Sequence, residues 1–261
     1  MGLSGMSPVW AALVGGCIAA GATAVGTLPA LFLRTLDSRA QDAMLGFGAG
    51  IMLAASAFSL VLPGIDEAQA LGHGQWGAGL LVGLAILAGA AAIMVLERIL
   101  PHEHFIKGPE GRQSARLRRT WLFVFAIALH NLPEGLAIGV AWGNDAAHGQ
   151  VMTTGIALQD LPEGLVVALA LIAAGYGRAM AITVGMASGL VEPLGAVFGA
   201  SVVLGMPHLL PVGLGFAAGA MLFVVSHEVI PESHRQGHET LATGGLMIGF
   251  VLMMLLDTAL G

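Results

Sequence analysis

The chain of 261 residues is 56% apolar and only 10% charged, with a mean hydropathy of +0.85 and a formal net charge of -6. One soluble core of this length needs far less apolar material, so water is excluded as the main solvent. The single cysteine, Cys17, excludes an intramolecular disulfide and a thiolate metal cluster, and no nucleic-acid partner is expected. The 39 glycines, set in apolar runs, point to close helix packing through small faces.

A bilayer core takes about 20 apolar residues per helix. Eight stretches meet that requirement, at 8–33, 43–65, 76–97, 120–142, 149–174, 179–205, 208–231 and 241–260. The expected fold is therefore all-α, a polytopic membrane protein of eight transmembrane helices forming a single transmembrane domain over 1–261. The first stretch has no basic residue before Arg34, so it reads as a retained helix rather than a cleaved signal. The one long polar segment, at about 98–119, is expected to be a loop and carries His102-Glu103-His104.

Basic residues fall at alternate ends of these spans. Arg34 and Arg39 follow the first, Arg98, Lys107, Arg112, Arg116, Arg118 and Arg119 the third, Arg178 the fifth and Arg235 the seventh. The positive-inside rule puts those loops in the cytoplasm and both termini outside.

Spans four and five contain near-copies of one another, Ala128-Leu-His-Asn-Leu-Pro-Glu-Gly-Leu136 and Ala157-Leu-Gln-Asp-Leu-Pro-Glu-Gly-Leu165. Adjacent spans run antiparallel, so the repeat is inverted, a plan that places a site near the bilayer midplane. A fainter match pairs Ala49-Gly-Ile-Met-Leu53 in span two with Ala218-Gly-Ala-Met-Leu222 in span seven.

Residues three and four apart share a helical face. His130, Asn131 and Glu134 thus form one polar face, Gln159, Asp160 and Glu163 a second, and Glu192 joins them from span six. The interiors of these spans hold no Lys or Arg. An ionised carboxylate at mid-bilayer costs about 2.5 to 3.5 kcal/mol even on lenient insertion scales, so four of them demand protons or metal cations. Imidazole, carboxylate, amide and thioether together suit a borderline divalent ion, and two such ions would balance four carboxylates. Pro133 and Pro162, in matched Leu-Pro-Glu-Gly contexts, would each free a backbone carbonyl beside that site.

Span seven ends in Ser226-His-Glu-Val-Ile-Pro-Glu-Ser-His234, with His238 following. At the predicted cytoplasmic face, this cluster is placed to receive a cation leaving the bundle, or to be a solvated helix end. Asp66, Glu67 and Asp257 lie near the opposite face. An intramembrane metalloprotease would need His-Glu-x-x-His, but His227-Glu228 is followed by Val229, Ile230 and Pro231, so no enzyme is expected. A selective divalent-cation channel would use the same carboxylates as a filter and differs from a carrier in its kinetics.

The order of three motifs, at 130–135, 159–164 and Gly-Leu-Val-Glu-Pro-Leu-Gly at 189–195, resembles the ZIP (Zrt/Irt-like) metal transporters, in their compact bacterial branch, over all eight spans. The resemblance implies a three-plus-two-plus-three helix arrangement with inverted repeats, a homodimer in the bacterial inner membrane, and no catalytic cofactor. It implies an elevator-type carrier moving Zn²⁺, and with it Cd²⁺, toward the cytoplasm. The family pattern would set Met52, His130, Glu134, Gln159, Asp160 and Glu163 around one ion, and Asn131, Glu134, Asp160, Glu163 and Glu192 around another. His227, Glu228 and His238 would line the exit. Many members of that family carry histidine where this chain has Gln159, a departure that bears on metal preference.

Overall fold

The structure, a computed structural model, describes residues 6–33, 35–99 and 130–260. Among them the chain is helical from end to end. Helix α1 spans Pro8–Leu31, α2 Ser38–Ala70, α3 Gln75–Ile99, α4 130–144, α5 Ala146–Ala173, α6 Arg178–Gly205, α7 Pro207–Ser233 and α8 Glu239–Leu260. All but α4 are long and apolar enough to cross a membrane as described, and the start of the fourth expected span, 120–129, lies outside the described residues.

Local signals set the helix ends. Pro8 occupies the first turn of α1, where its missing N–H costs nothing. The carboxylate of Asp145 accepts from the His148 backbone N–H at 2.9 Å and so caps α5. Gly72, Gly175 and Gly237 take positive φ in the turns that follow α2, α5 and α7.

Several boundaries differ from the hydropathy reading, most of all those of α2. Helix α2 starts at Ser38 rather than 43 and continues to Ala70 rather than 65. Hydropathy registers the apolar middle of a helix, whereas Arg39, Asp66 and Glu67 lengthen this one at ends where water is within reach. Helix α3 runs to Ile99, so the first two residues of the loop expected at 98–119 are helical. The rest of that segment, including His102 and His104, lies outside the described residues. Helix α6 is interrupted, with α-helix over Arg178–Ser188 and Val191–Gly205 and a turn at Gly189 and Leu190 between them.

The fainter repeat has a structural counterpart. Helix α2 widens to π-helix over Ala55–Val61 and α7 over Val225–Val229, beginning six and seven residues after the matched Ala49 and Ala218. Pro63 and Pro231 follow directly. Each lacks the N–H that would serve the carbonyl four residues earlier, and the ladder slips to the wider spacing on that side.

The helices form two sets. In the first, α1, α4, α5 and α6 touch backbone to backbone: a Cβ at Gly26 would strike the Leu161 carbonyl, at Gly164 that of Thr23, at Gly135 the Glu192 backbone and at Gly139 that of Ala196. In the second, α2 meets α8 through Gly46 against Ala242 and Gly50 against Leu246, α3 meets α7 through Gly89 and Gly219, and α2 packs on α7. Between the sets the glycines meet side chains instead. Gly48 faces the Gln159 Cβ at 3.7 Å, Gly155 faces Met253 and Ile51, and Gly213 faces Val203.

The backbone contacts within each set leave no room for a methyl group, and forcing one into a packed helix interface costs about 1 to 3 kcal/mol. Gly26→Ala is therefore expected to lower the thermal midpoint of the detergent-solubilised protein. Gly79→Ala, where a Cβ would meet nothing within 4 Å, is expected to be neutral or to stabilise by up to about 1 kcal/mol. Fluorescence-detected unfolding of the two variants beside the parent checks both.

Candidate metal centre

Helices α4 and α5 each carry one Leu-Pro-Glu-Gly copy, and the glycines decide what lies next to them. Gly135 lets α4 rest on the backbone of Glu192, and Gly164 lets α5 rest on that of Thr23 in α1. Gly16 against Pro193 and Gly189 against Thr23 bring α1 and α6 together, and the Thr23 hydroxyl donates to Glu192 Oε1 at 3.3 Å. Both side chains are buried.

The interruption of α6 sits beside this pair. Glu192 falls in the first turn of the half-helix Val191–Gly205, where the positive end of the helix dipole favours an anion. The half-helix before it ends at Ser188 with its carbonyl free of the helix ladder, and Asn131 Nδ2 donates to that carbonyl at 3.0 Å. One amide from α4 thus closes the break that gives Glu192 its place.

Three carboxylates converge at the centre. One oxygen each from Glu134, Asp160 and Glu163 lies within 4.8 Å of the others. Tetrahedral zinc with carboxylate bonds of about 2.0 to 2.2 Å sets its oxygens about 3.3 to 3.6 Å apart. An inward movement of roughly 1 Å would close the cage around one ion. Gln159 donates through Nε2 to Glu134 Oε1, which ties the two motif copies together.

Several buried oxygens here have no protein partner among the described residues: Asn131 Oδ1, Glu134 Oε2, Gln159 Oε1, Asp160 Oδ2, Glu163 Oε1 and Glu192 Oε2. Buried polar atoms are almost always paired, so six orphans in one region mark a place built for something the chain does not supply. The donor set is oxygen-rich with one imidazole, His130, within the same motif, and suits a divalent transition ion.

Met52 is buried on α2. It stands one turn beyond Gly48, which faces Gln159, and so shares the helical face turned toward the centre. His130 Nε2 lies 2.5 Å from Glu228 Oε2 of α7. That contact joins the central motif to the cluster at the end of α7, which the sequence had placed on a separate part of the route.

The remaining exit candidates separate. His227 is exposed and stacks on Phe223 with ring centroids 5.1 Å apart. His238, just before α8, pairs with Asp42 of α2, its Nδ1 3.0 Å from Asp42 Oδ2. Sequence reasoning did not single out Thr23, Asp42 or the Ser188 carbonyl. Thr23 is an ordinary hydroxyl in a glycine-rich span, and Asp42 lies before the apolar run from which span two was drawn, so neither carried a signal until its neighbour was known.

The family model described as ZIP zinc transporter matches residues 107–257. Zinc transporter ZIPB of Bordetella bronchiseptica is 54% identical over 96% of this chain and 81% of its own length. Zinc transporter GufA of Myxococcus xanthus is 44% identical over 96% of this chain and 99% of its own. Human zinc transporter ZIP11 is 32% identical over 99% of this chain and all of its own length. With a model spanning more than half of the sequence and such relatives aligned nearly end to end, this chain belongs to the ZIP family of zinc transporters, a family of ion transporters and not of enzymes.

Proposed function

We propose that this protein moves Zn²⁺, and with it Cd²⁺, across the bacterial inner membrane into the cytoplasm through a binuclear site inside its single transmembrane domain. The observation that carries the reading is the group of orphaned buried oxygens around Glu134, Asp160 and Glu163. One ion is held by Met52, His130, Glu134, Gln159, Asp160 and Glu163. The second is held by Asn131, Glu134, Asp160, Glu163 and Glu192, with the shared carboxylates bridging. Relatives named zinc transporters support zinc as the cargo, and the mixed nitrogen, oxygen and thioether set supports acceptance of the softer Cd²⁺.

The transport step is an elevator-type shift of α1, α4, α5 and α6 against α2, α3, α7 and α8. Backbone-deep contacts within each set, against side-chain contacts between them, support two rigid bodies with a seam that slides. The cargo site is formed largely by the first set, and Glu228 of the second meets His130 at the seam. Ends carrying Arg39, Arg178 and Arg235 face the cytoplasm, with both termini outside. The second set also carries the homodimer contact. The most apolar windows of α3 and α8 are only 22% and 17% buried, which leaves that set a face for a second copy.

In proteoliposomes the wild type is expected to take up Zn²⁺ saturably, with Cd²⁺ competing. Asp160→Asn with Glu163→Gln, checked for equal incorporation, should lose at least about tenfold, as removal of metal-site partners generally does. Uptake unchanged in that variant would remove these carboxylates from the pathway, and non-saturating flux with current would favour a channel.

The sliding seam has its own test. A Cβ at Gly48 would lie 3.7 Å from that of Gln159, within the span of a disulfide. In a Cys17→Ser background, Gly48→Cys with Gln159→Cys is expected to lose transport on oxidation and to recover it on reduction. Gln159→Cys alone, which replaces a proposed ligand, sets the reference rate and should respond to neither treatment, and a cross-link inside one set, Gly64→Cys with Leu214→Cys, should leave the parent rate unchanged. Transport that persists through complete cross-linking at the seam would refute the shift.

A further inference from the structure

Asp42 is a buried carboxylate outside the central site, with no exposed surface, in the first turns of α2. Its position follows from the contact between α2 and α8. Gly46 sits against Ala242 and Gly50 against Leu246, so the two helices run in parallel at backbone distance, in steps of four residues on each. One step earlier on both, the pair is Asp42 and His238. No adjustment of long side chains is needed to bring them together, because the glycine ladder does it.

Among the described residues, the His238 ring has one nitrogen engaged. Nδ1 lies 3.0 Å from Asp42 Oδ2, and the side chain keeps about a quarter of its surface exposed. Its neighbour His234 differs. Nδ1 of His234 meets Ser233 Oγ at 2.9 Å and the Ile230 carbonyl at 3.0 Å, and Nε2 lies 3.4 Å from Thr243 Oγ1, so both ring nitrogens are occupied by protein. Of the two, only His238 has a ring nitrogen left for a ligand. A backbone carbonyl would orient an imidazole as well as a carboxylate does. A buried aspartate at this spot adds basicity at the opposite nitrogen, the arrangement by which metal-ligating histidines are held in the correct tautomer.

We propose that Asp42 is a positioning residue for cations leaving the bundle: its carboxylate accepts the Nδ1–H of His238 and leaves Nε2 as the ligand atom. The proposal rests on the reading of His238 as part of the exit, and deepens it by naming what orients the ring. A mere structural clamp between α2 and α8 would use the same contact but would not set metal affinity.

The test is Cd²⁺ titration by calorimetry of the full chain in nanodiscs, in an Asp160→Asn, Glu163→Gln background that silences the central cage. There, Asp42→Asn is expected to weaken the remaining site by about 10- to 100-fold. In a His238→Ala version, adding Asp42→Asn should change affinity by less than about twofold, since Asp42 acts only through that ring. Equal effects of Asp42→Asn with and without His238, or no effect with it, would overturn the proposal. If His238→Ala by itself leaves Cd²⁺ binding at the parent level, the exit reading fails first and the proposal falls with it. Should Asp42→Asn not fold, ¹⁵N histidine spectra of the otherwise unaltered chain decide. His238 protonated at Nδ1, with its Nε2 resonance shifting on Cd²⁺ addition, is the expected result, and protonation at Nε2 would refute it.

Discussion

Burial of anionic oxygen without a cation from the chain is the constraint on which the rest of this structure depends. Glu134, Asp160, Glu163 and Glu192 occupy helices whose interiors hold no Lys or Arg. In hydrocarbon such a group is tolerable only when protonated or coordinated. The protein lessens the cost with its own dipoles, through the N-terminus of the second half of α6 and hydroxyl and amide donors from Thr23 and Gln159, but leaves six oxygens unpaired. A fully satisfied network would be a rigid polar core. One left short of donors has room for a cation to supply what the chain does not.

Glycine is the second device, and it works through distance. Between spanning helices there is no hydrophobic drive to associate, since lipid is as apolar as leucine, so stability comes from close packing. Among the described residues, glycines touch backbone within two sets of helices and meet side chains across the seam. The same residues therefore serve two ends. Gly135 and Gly164 stabilise the first set and also draw Thr23 and Glu192 into the centre, so site geometry and bundle rigidity cannot be varied independently.

Departures from regular helix concentrate where charge is handled. Helix α6 breaks at Gly189 and Leu190, next to Glu192, while α2 and α7 widen to π-helix beside Pro63 and Pro231. The widened turn of α7 contains His227 and Glu228, and Glu228 reaches His130 across the seam. A regular α-helix through that stretch would rotate these side chains by a large part of a turn. The link between the central carboxylates and the far end of α7 is thus a product of the irregularity.

Much of this protein was legible in one dimension because two of its determinants are local. Hydropathy is a property of a window, so the spans and the all-α class could be read directly, with errors only at ends such as Ser38 and Ala70, where polar residues extend a helix into water. The carboxylates at 134, 160, 163 and 192 stood out because each is costly in an apolar run whatever lies beside it. Tertiary structure alone decided which groups meet: His130 with Glu228, Thr23 with Glu192, Asn131 with the Ser188 carbonyl and Asp42 with His238. These pairs are separated by 57 to 196 residues, and each depends on where a glycine lets two backbones touch or where a helix breaks. Such a contact belongs to two helices at once, so no pattern along either of them contains it.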